Sequence, residues 1–254
     1  MNWKRIHRVV RIVWVTAGLS FVGWMLWSTQ AHHVDASALE STDALSVVQG
    51  DDAVAFLPAV IAEDRPAIVF LPGGMVDSVA YVPLVRALAE AGWPAAIVEL
   101  PWRIAFTDSS TTEVWRRVQA VRHVWGRGRP MVLGGHSRGA AMSARFTAVH
   151  PDEVAALFML GTTHPRDENL SSFGRPVLKV SGSLDCVADL EDSLKNKNRL
   201  PPQTRWVTIE GANHAQFGYY GRQLGDCSAA IDRDSQQRQT RDALTAWLAN
   251  VGVR

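Results

Sequence analysis

Cysteine is scarce in this chain, with two in 254 residues. No grouping of His, Cys, Asp and Glu has the spacing of metal ligands, so a metal-built domain or a disulfide-dense mini-scaffold is excluded. There is no internal repeat and no low-complexity tract. Charge of one sign is not in excess either, with 26 Lys and Arg against 25 Asp and Glu. Without Lys4, Arg5, Arg8 and Arg11 at the start, the remainder is mildly acidic, which offers nucleic acid no electrostatic footprint. Lys195-Asn196-Lys197-Asn198-Arg199 is most simply a solvated helix end. A glycine-rich loop closed by lysine is missing, so a phosphate cradle is not expected and no cofactor is implied.

What is present is the run VLGGHSRGAA, Val132 to Ala141. Within it, Gly135-His136-Ser137-Arg138-Gly139 has the form Gly-Xaa-Ser-Xaa-Gly between an apolar stretch and an alanine-rich one. That is the pattern of a nucleophile elbow, a sharp strand-to-helix turn that holds a serine hydroxyl clear of the backbone. The flanking glycines serve strained dihedrals and close strand–helix approach. Taken alone, the same pentapeptide is also compatible with a plain turn.

Along the chain, short apolar runs alternate with helix-like segments. Pro66–Leu71, Pro94–Leu100, Met131–Gly134, Val154–Gly161, Val177–Ser181 and Trp206–Ile209 have the composition of buried strands. Between them, Tyr81, Leu84, Val85 and Leu88, then Val114, Val118, Val121 and Trp125, recur at helical spacing. Leu244, Trp247, Leu248 and Val251 mark a closing helix. The expected fold is α/β, a mostly parallel sheet flanked by helices, with sites at the C-terminal strand edge.

Two polar residues past strand ends complete a constellation with Ser137. Asp185 follows VLKVSG, and His214 follows WVTIEG. The chain order Ser, Asp, His is that of α/β-hydrolases, not of chymotrypsin-like or subtilisin-like enzymes. A serine hydroxyl needs a base to become a useful nucleophile, and an imidazole can take that proton near neutral pH. A carboxylate then fixes the imidazole tautomer and stabilises the imidazolium. Asp167 is an alternative acid, and Asp189 reads as a helix-start carboxylate. Stabilising the oxyanion takes two backbone N–H groups. Arg138 supplies one by its place after Ser137, and Gly74 or Met75 in Pro72-Gly73-Gly74-Met75 is the candidate for the second. The Arg138 side chain has two readings, a contact to a substrate carboxylate or a structural ion pair.

LPGGMVDSVAYVPLVRALAEAGW, GGHSRGAAMSARF, GTTHPRD and IEGANHAQFGYYGRQLGD together resemble the bacterial alpha/beta-hydrolase fold-5 family, related to dienelactone-hydrolase-like enzymes. The resemblance spans roughly residues 45 to 250. It implies an alpha/beta-hydrolase fold and a serine hydrolase with Ser137, Asp185 and His214 as triad, but no particular substrate. Dienelactone hydrolases use cysteine as nucleophile, so Ser137 argues against that activity. The short interval from Gly161 to Pro176 leaves no room for a large cap domain. An open site is expected, or one covered by a loop carrying His164, Arg166 and Phe173, which favours small-molecule or surface-presented esters over a deep, lidded lipase pocket. The competing reading is a binding or scaffold protein that keeps the fold without turnover.

The start of the chain forms a separate module. Residues 1–11 are a basic tail, and Ile12–Ser28 is an uncharged, largely apolar run. At ~1.5 Å per residue the run covers ~26 Å, close to the hydrocarbon thickness of a bilayer. The basic flank predicts a cytoplasmic N-terminus, with Trp24 and Trp27 at the far interface. An uncleaved transmembrane signal anchor is expected; the alternative is a cleaved signal at the marginal site Thr29-Gln30-Ala31. Residues 29–46 read as a polar tether and 47–254 as the catalytic domain, placed outside the cytoplasm. In an oxidising compartment Cys186 and Cys227, each on a loop at the catalytic edge, are expected to form a disulfide. In the chain-entropy model it would stabilise the fold by about 4 kcal/mol and pin the Asp185 loop to the loop after His214.

Overall fold

The computed structural model describes residues 3–125 and 128–251. Residues 1–2 of the basic tail and 252–254 at the end of the catalytic domain lie outside them. Eight strands form one sheet: β1 (Leu45–Gln49), β2 (Ala53–Pro58), β3 (Ala67–Leu71), β4 (Ala95–Val98), β5 (Met131–His136), β6 (Val154–Leu160), β7 (Val177–Gly182) and β8 (Arg205–Ile209). Their spatial order is β1-β2-β4-β3-β5-β6-β7-β8. β1–β2 and β2–β4 pair antiparallel, and β3 to β8 run parallel.

Strands β3 to β7 are buried along nearly their whole length because helices cover both faces. Alternation divides their side chains between two cores. Ile68 and Phe70 of β3 join Phe158 of β6 on one face, under α2 (Val82–Glu90) and α6 (Arg233–Leu248). Val69 and Leu71 join Leu133 and Met159 on the other, under α3 (Asp108–Val124) and α4 (Arg138–Val149). Each fully buried side chain of this size contributes roughly 1.5–3 kcal/mol. The helices begin where local chemistry starts them. Thr107 and Ser110 form a capping box for α3, and Asp232 accepts from Ser235 N–H at the start of α6.

The segment 161–176 contains neither helix nor strand, so among the described residues no cap domain is inserted there. Phe173 does not cover the edge either. It is buried in the second core with Leu170 and Leu200.

The amino-terminal helix α1 spans Trp3–Ser28, so the basic residues lie on the same helix as the apolar run. An 18-residue window within it reaches a mean hydropathy of 1.7 with none of it buried, which makes it long and apolar enough to cross a membrane. The segment 29–46, expected as a free tether, is laid onto the domain. Ala31 bridges Tyr220, His32 N–H donates to the Tyr219 carbonyl at 2.7 Å, and Arg86 donates to the carbonyls of Ala38 and Glu40. Ala31, Val34, Ala38 and Leu39 pack on the first core, so their sparse apolar residues suffice to hold the segment down.

Candidate active site

The elbow begins with room that only glycine leaves. A β-carbon on Gly135 would stand 2.2 Å from the Leu71 carbonyl oxygen, and one on Gly139 would stand 2.0 Å from it. β5 and α4 can therefore cross this close to the end of β3 only without side chains at those positions. Between them Ser137 takes φ 51° and ψ −114°, a sparsely populated conformation for a residue with a β-carbon. Its N–H donates to the Leu160 carbonyl at 2.9 Å, which fixes the turn to the end of β6.

Asp185 and His214 meet at the same edge, past the ends of β7 and β8. His214 Nδ1–H donates to Asp185 Oδ2 at 2.8 Å, and both side chains are almost wholly buried. The other carboxylate oxygen accepts from Val187 N–H at 3.0 Å and Ala188 N–H at 2.6 Å, so the charge is met on both sides. Asp167 is exposed and makes no such contact. Asp189 caps the short helix α5 (Leu190–Lys195) by accepting from Glu191 and Asp192 N–H. The His214 Nε2 atom is buried without a hydrogen-bond partner. The bond from Ser137 to that nitrogen is thus not closed in this structure, a contact that in comparable sites tightens when substrate binds.

The second oxyanion donor is narrowed by the loop after β3. Met75, at φ 66°, donates its N–H to the Arg103 carbonyl at 2.6 Å. Gly74 N–H makes no backbone hydrogen bond among the described residues, which leaves it the freer of the two. The Arg138 side chain makes a backbone contact and no ion pair among the described residues. It donates to the Ala105 carbonyl at 2.8 Å, tying the elbow to the 101–106 loop.

Several supporting residues escaped the sequence reading. Asp226 accepts from His214 N–H at 3.3 Å and Ala215 N–H at 2.8 Å, and also from Cys227 N–H at 2.9 Å. Its carboxyl pKa is raised by burial, an effect the Ala215 and His214 amides partly oppose. The signal for it was the pair of Asp-Cys dipeptides, Asp185-Cys186 and Asp226-Cys227. The two cysteines form a disulfide with a Cα–Cα distance of 5.3 Å, so both aspartates are held side by side. Gln236 of α6 clamps the same loop, accepting from Asn213 N–H and donating to the Asn213 carbonyl.

His136, also unremarked, is fully buried with its ring centroid 4.5 Å from that of His214. Burial, and then the neighbouring His214, hold its pKa well below the ordinary histidine value. The ring beside His214 is thus held in its neutral form. Its Nδ1 pairs with the Tyr81 hydroxyl at 2.8 Å, and that oxygen accepts from Gly73 N–H at 3.1 Å. This chain links the elbow to the loop that carries Gly74.

The sequence matches the profile of the alpha/beta hydrolase family over residues 67–238. No curated protein sequence matches the chain. Among solved structures, Est1E from Butyrivibrio proteoclasticus superposes with a TM-score of 0.56 at 16% identity, covering 82% of this chain and 100% of its own. A variant of monoglyceride lipase from Saccharomyces cerevisiae gives 0.61 at 13% identity over 85% of this chain and 98% of its own. A membrane phospholipase A described as a bacterial virulence factor gives 0.55 at 15% identity over 97% and 99%. At these identities the likeness is one of fold.

Proposed function

This chain belongs to the alpha/beta hydrolase family, and from that premise we propose that it is a membrane-anchored serine hydrolase that cleaves carboxylic esters outside the cytoplasm. The observation that carries the reading is the buried His214–Asp185 pair at 2.8 Å, at the sheet edge where the strained elbow presents Ser137. His214 Nε2 takes the Ser137 proton as the hydroxyl attacks the ester carbonyl. Asp185 keeps the Nδ1 proton in place and stabilises the imidazolium. Backbone N–H groups of Arg138 and of the Gly74–Met75 turn, Gly74 foremost, stabilise the oxyanion. His214 then protonates the leaving alcohol, and water admitted in its place releases the acid from Ser137 by the same route in reverse.

Solved neighbours include a carboxylesterase and a monoglyceride lipase by name, which fits this chemistry. Helix α1 suits a single-pass anchor by length and composition, and Lys4, Arg5, Arg8 and Arg11 favour a cytoplasmic N-terminus. The Cys186–Cys227 disulfide suits an oxidising compartment for the domain. The test is turnover of a water-soluble short-chain nitrophenyl ester by the full chain in detergent. Wild type should turn it over and Ser137→Ala should not. Equal rates would leave a fold without this activity.

A further inference from the structure

The foot of helix α1 packs against the turn that carries Gly74 and Met75. Gly221 N–H donates to the Ser28 carbonyl at 2.7 Å, and Asp77 N–H donates to the Thr29 carbonyl at 2.9 Å. A β-carbon on Gly221 would stand 2.8 Å from Ser28 backbone atoms, so the approach is as close as main chains allow. Arg103 donates to Gln30 at 3.2 Å and to Asp77 at 3.0 Å. The residues that grip the helix end thus belong to the Gly74–Asp77 turn, the 101–106 loop and the segment after His214. Each of these also borders the catalytic edge.

A cleft of about 180 Å³ opens at this junction, with Trp24, Met25, Gly74, Met75, Tyr220 and Leu224 among its lining. One wall is membrane helix and the other is the oxyanion turn. Beside it the 101–106 loop holds its most apolar side chains outward, with Trp102 exposed by 93% and Phe106 by 76%. Trp102, Arg103 and Ala105 have φ between 50° and 60°, a left-handed backbone that costs free energy at each of these residues. A strained loop that leaves tryptophan and phenylalanine in water gains nothing by it as a water-soluble surface. Leu224, exposed by 61%, extends the same rim. Trp24 and Trp27 lie on the helix turns that lead into the junction, the position at which tryptophan rings settle in a bilayer interface.

We infer that the mouth of the site is seated on the bilayer by Trp102 and Phe106 as well as by helix α1, and that its substrate is a long-chain acyl ester dissolved in the membrane, entering through the cleft between Trp24 and Met75. The inference rests on the reading of Ser137 as an esterase nucleophile and of α1 as an anchor. Its occupant is the bilayer because the exposed rim is continuous with a helix that already enters it. The carbonyl then reaches Ser137 while the acyl chain stays in apolar surroundings, and no cap domain is needed to shield it.

The test uses the full chain in phosphatidylcholine vesicles, comparing wild type with the double variant Trp102→Asn, Phe106→Ser, both positions being exposed. The first readout is hydrolysis of a long-chain nitrophenyl ester dissolved in the vesicles, and the second is hydrolysis of nitrophenyl acetate in the surrounding water. The double variant should lose the first about tenfold or more and keep the second within about twofold. A third readout, quenching of tryptophan emission by brominated phosphatidylcholine, should fall in the Trp102→Asn chain. Equal loss of both rates, or no loss of either, overturns the proposal, as does quenching that does not depend on Trp102. If neither ester is cleaved by wild type, the esterase reading fails, and the quenching still decides separately whether the loop enters the bilayer.

Discussion

The two halves of the candidate site are built on opposite plans. On the proton-handling side, Asp185 and His214 are sealed from solvent, and every polar contact around the carboxylate is made. A disulfide, the Asp226 carboxylate and Gln236 brace the two loops that bear them. On the oxyanion side, Met75, Trp102, Arg103 and Ala105 all have positive φ, aromatic side chains stand in water, and the loops are tied to the foot of α1. The difference teaches that the part needing a fixed tautomer is prepaid in packing and hydrogen bonds. The part that would meet the proposed ester is left strained and attached to helix α1.

If that division holds, the sealed half should respond most strongly to loss of chemistry. Ser137→Ala and His214→Ala are each expected to lower kcat on a soluble ester by about 10⁴-fold or more, with the fold retained by circular dichroism. Asp185→Asn should fall nearly as far, because the wrong tautomer then faces Ser137. An Asp185→Asn variant near wild type, with Asp167→Asn inactive, would move the acid to the other loop.

Stability should come next. Replacing Cys186 and Cys227 together by serine is expected to cost about 2–5 kcal/mol in urea denaturation. A loss confined to activity would show that the bridge aligns the loops without supporting the fold. A smaller effect is expected from Asp226→Asn, a fall in kcat of roughly tenfold with KM little changed, since the amides of His214 and Ala215 would lose a charged acceptor. Arg103→Ala, on the strained side, should instead change the rate on vesicle-borne ester more than the rate on ester in water.

A pH-dependent effect on stability concerns Lys179 in β7, which is fully buried and donates to the His164 carbonyl at 2.7 Å. Burial, with Arg166 nearby, lowers its pKa from 10.5 to about 7. Between those two values the unfolded chain holds the proton and the folded chain does not, so stability should rise with pH across that window. The slope is at most about 1.4 kcal/mol per pH unit and should vanish in Lys179→Met, as read by chemical denaturation at successive pH values. An unchanged slope in that variant would remove Lys179 as its cause.

The parallel strands were legible because strands covered on both faces are continuous apolar runs, as in Ala67–Leu71 and Val154–Leu160. The hairpin of β1 and β2 was not. β1 lies at the sheet edge and buries Leu45 alone, so no alternation marks it, whereas the apolar run of β2, with Val54 and Phe56 buried, was passed over. Asp185 and His214 were legible as polar residues just past apolar strands, and their side chains lie 2.8 Å apart after β7 and β8. The docking of residues 28–32 was invisible because it runs through the main chain of Ser28, Thr29 and His32, which any side chain could supply. Arg138 escaped for a related reason, since its partner is the Ala105 carbonyl and not an acidic residue.

The account's central claim is that one nucleophile, Ser137, is activated through the His214–Asp185 pair. The most direct measurement is the rate and position of covalent labelling of the full chain by a fluorophosphonate, mapped by peptide mass spectrometry. The prediction is a single adduct on Ser137, formed at least about 100-fold more slowly in Asp185→Asn and at the wild-type rate in Asp167→Asn. An adduct on another residue, or a labelling rate indifferent to Asp185, would contradict it.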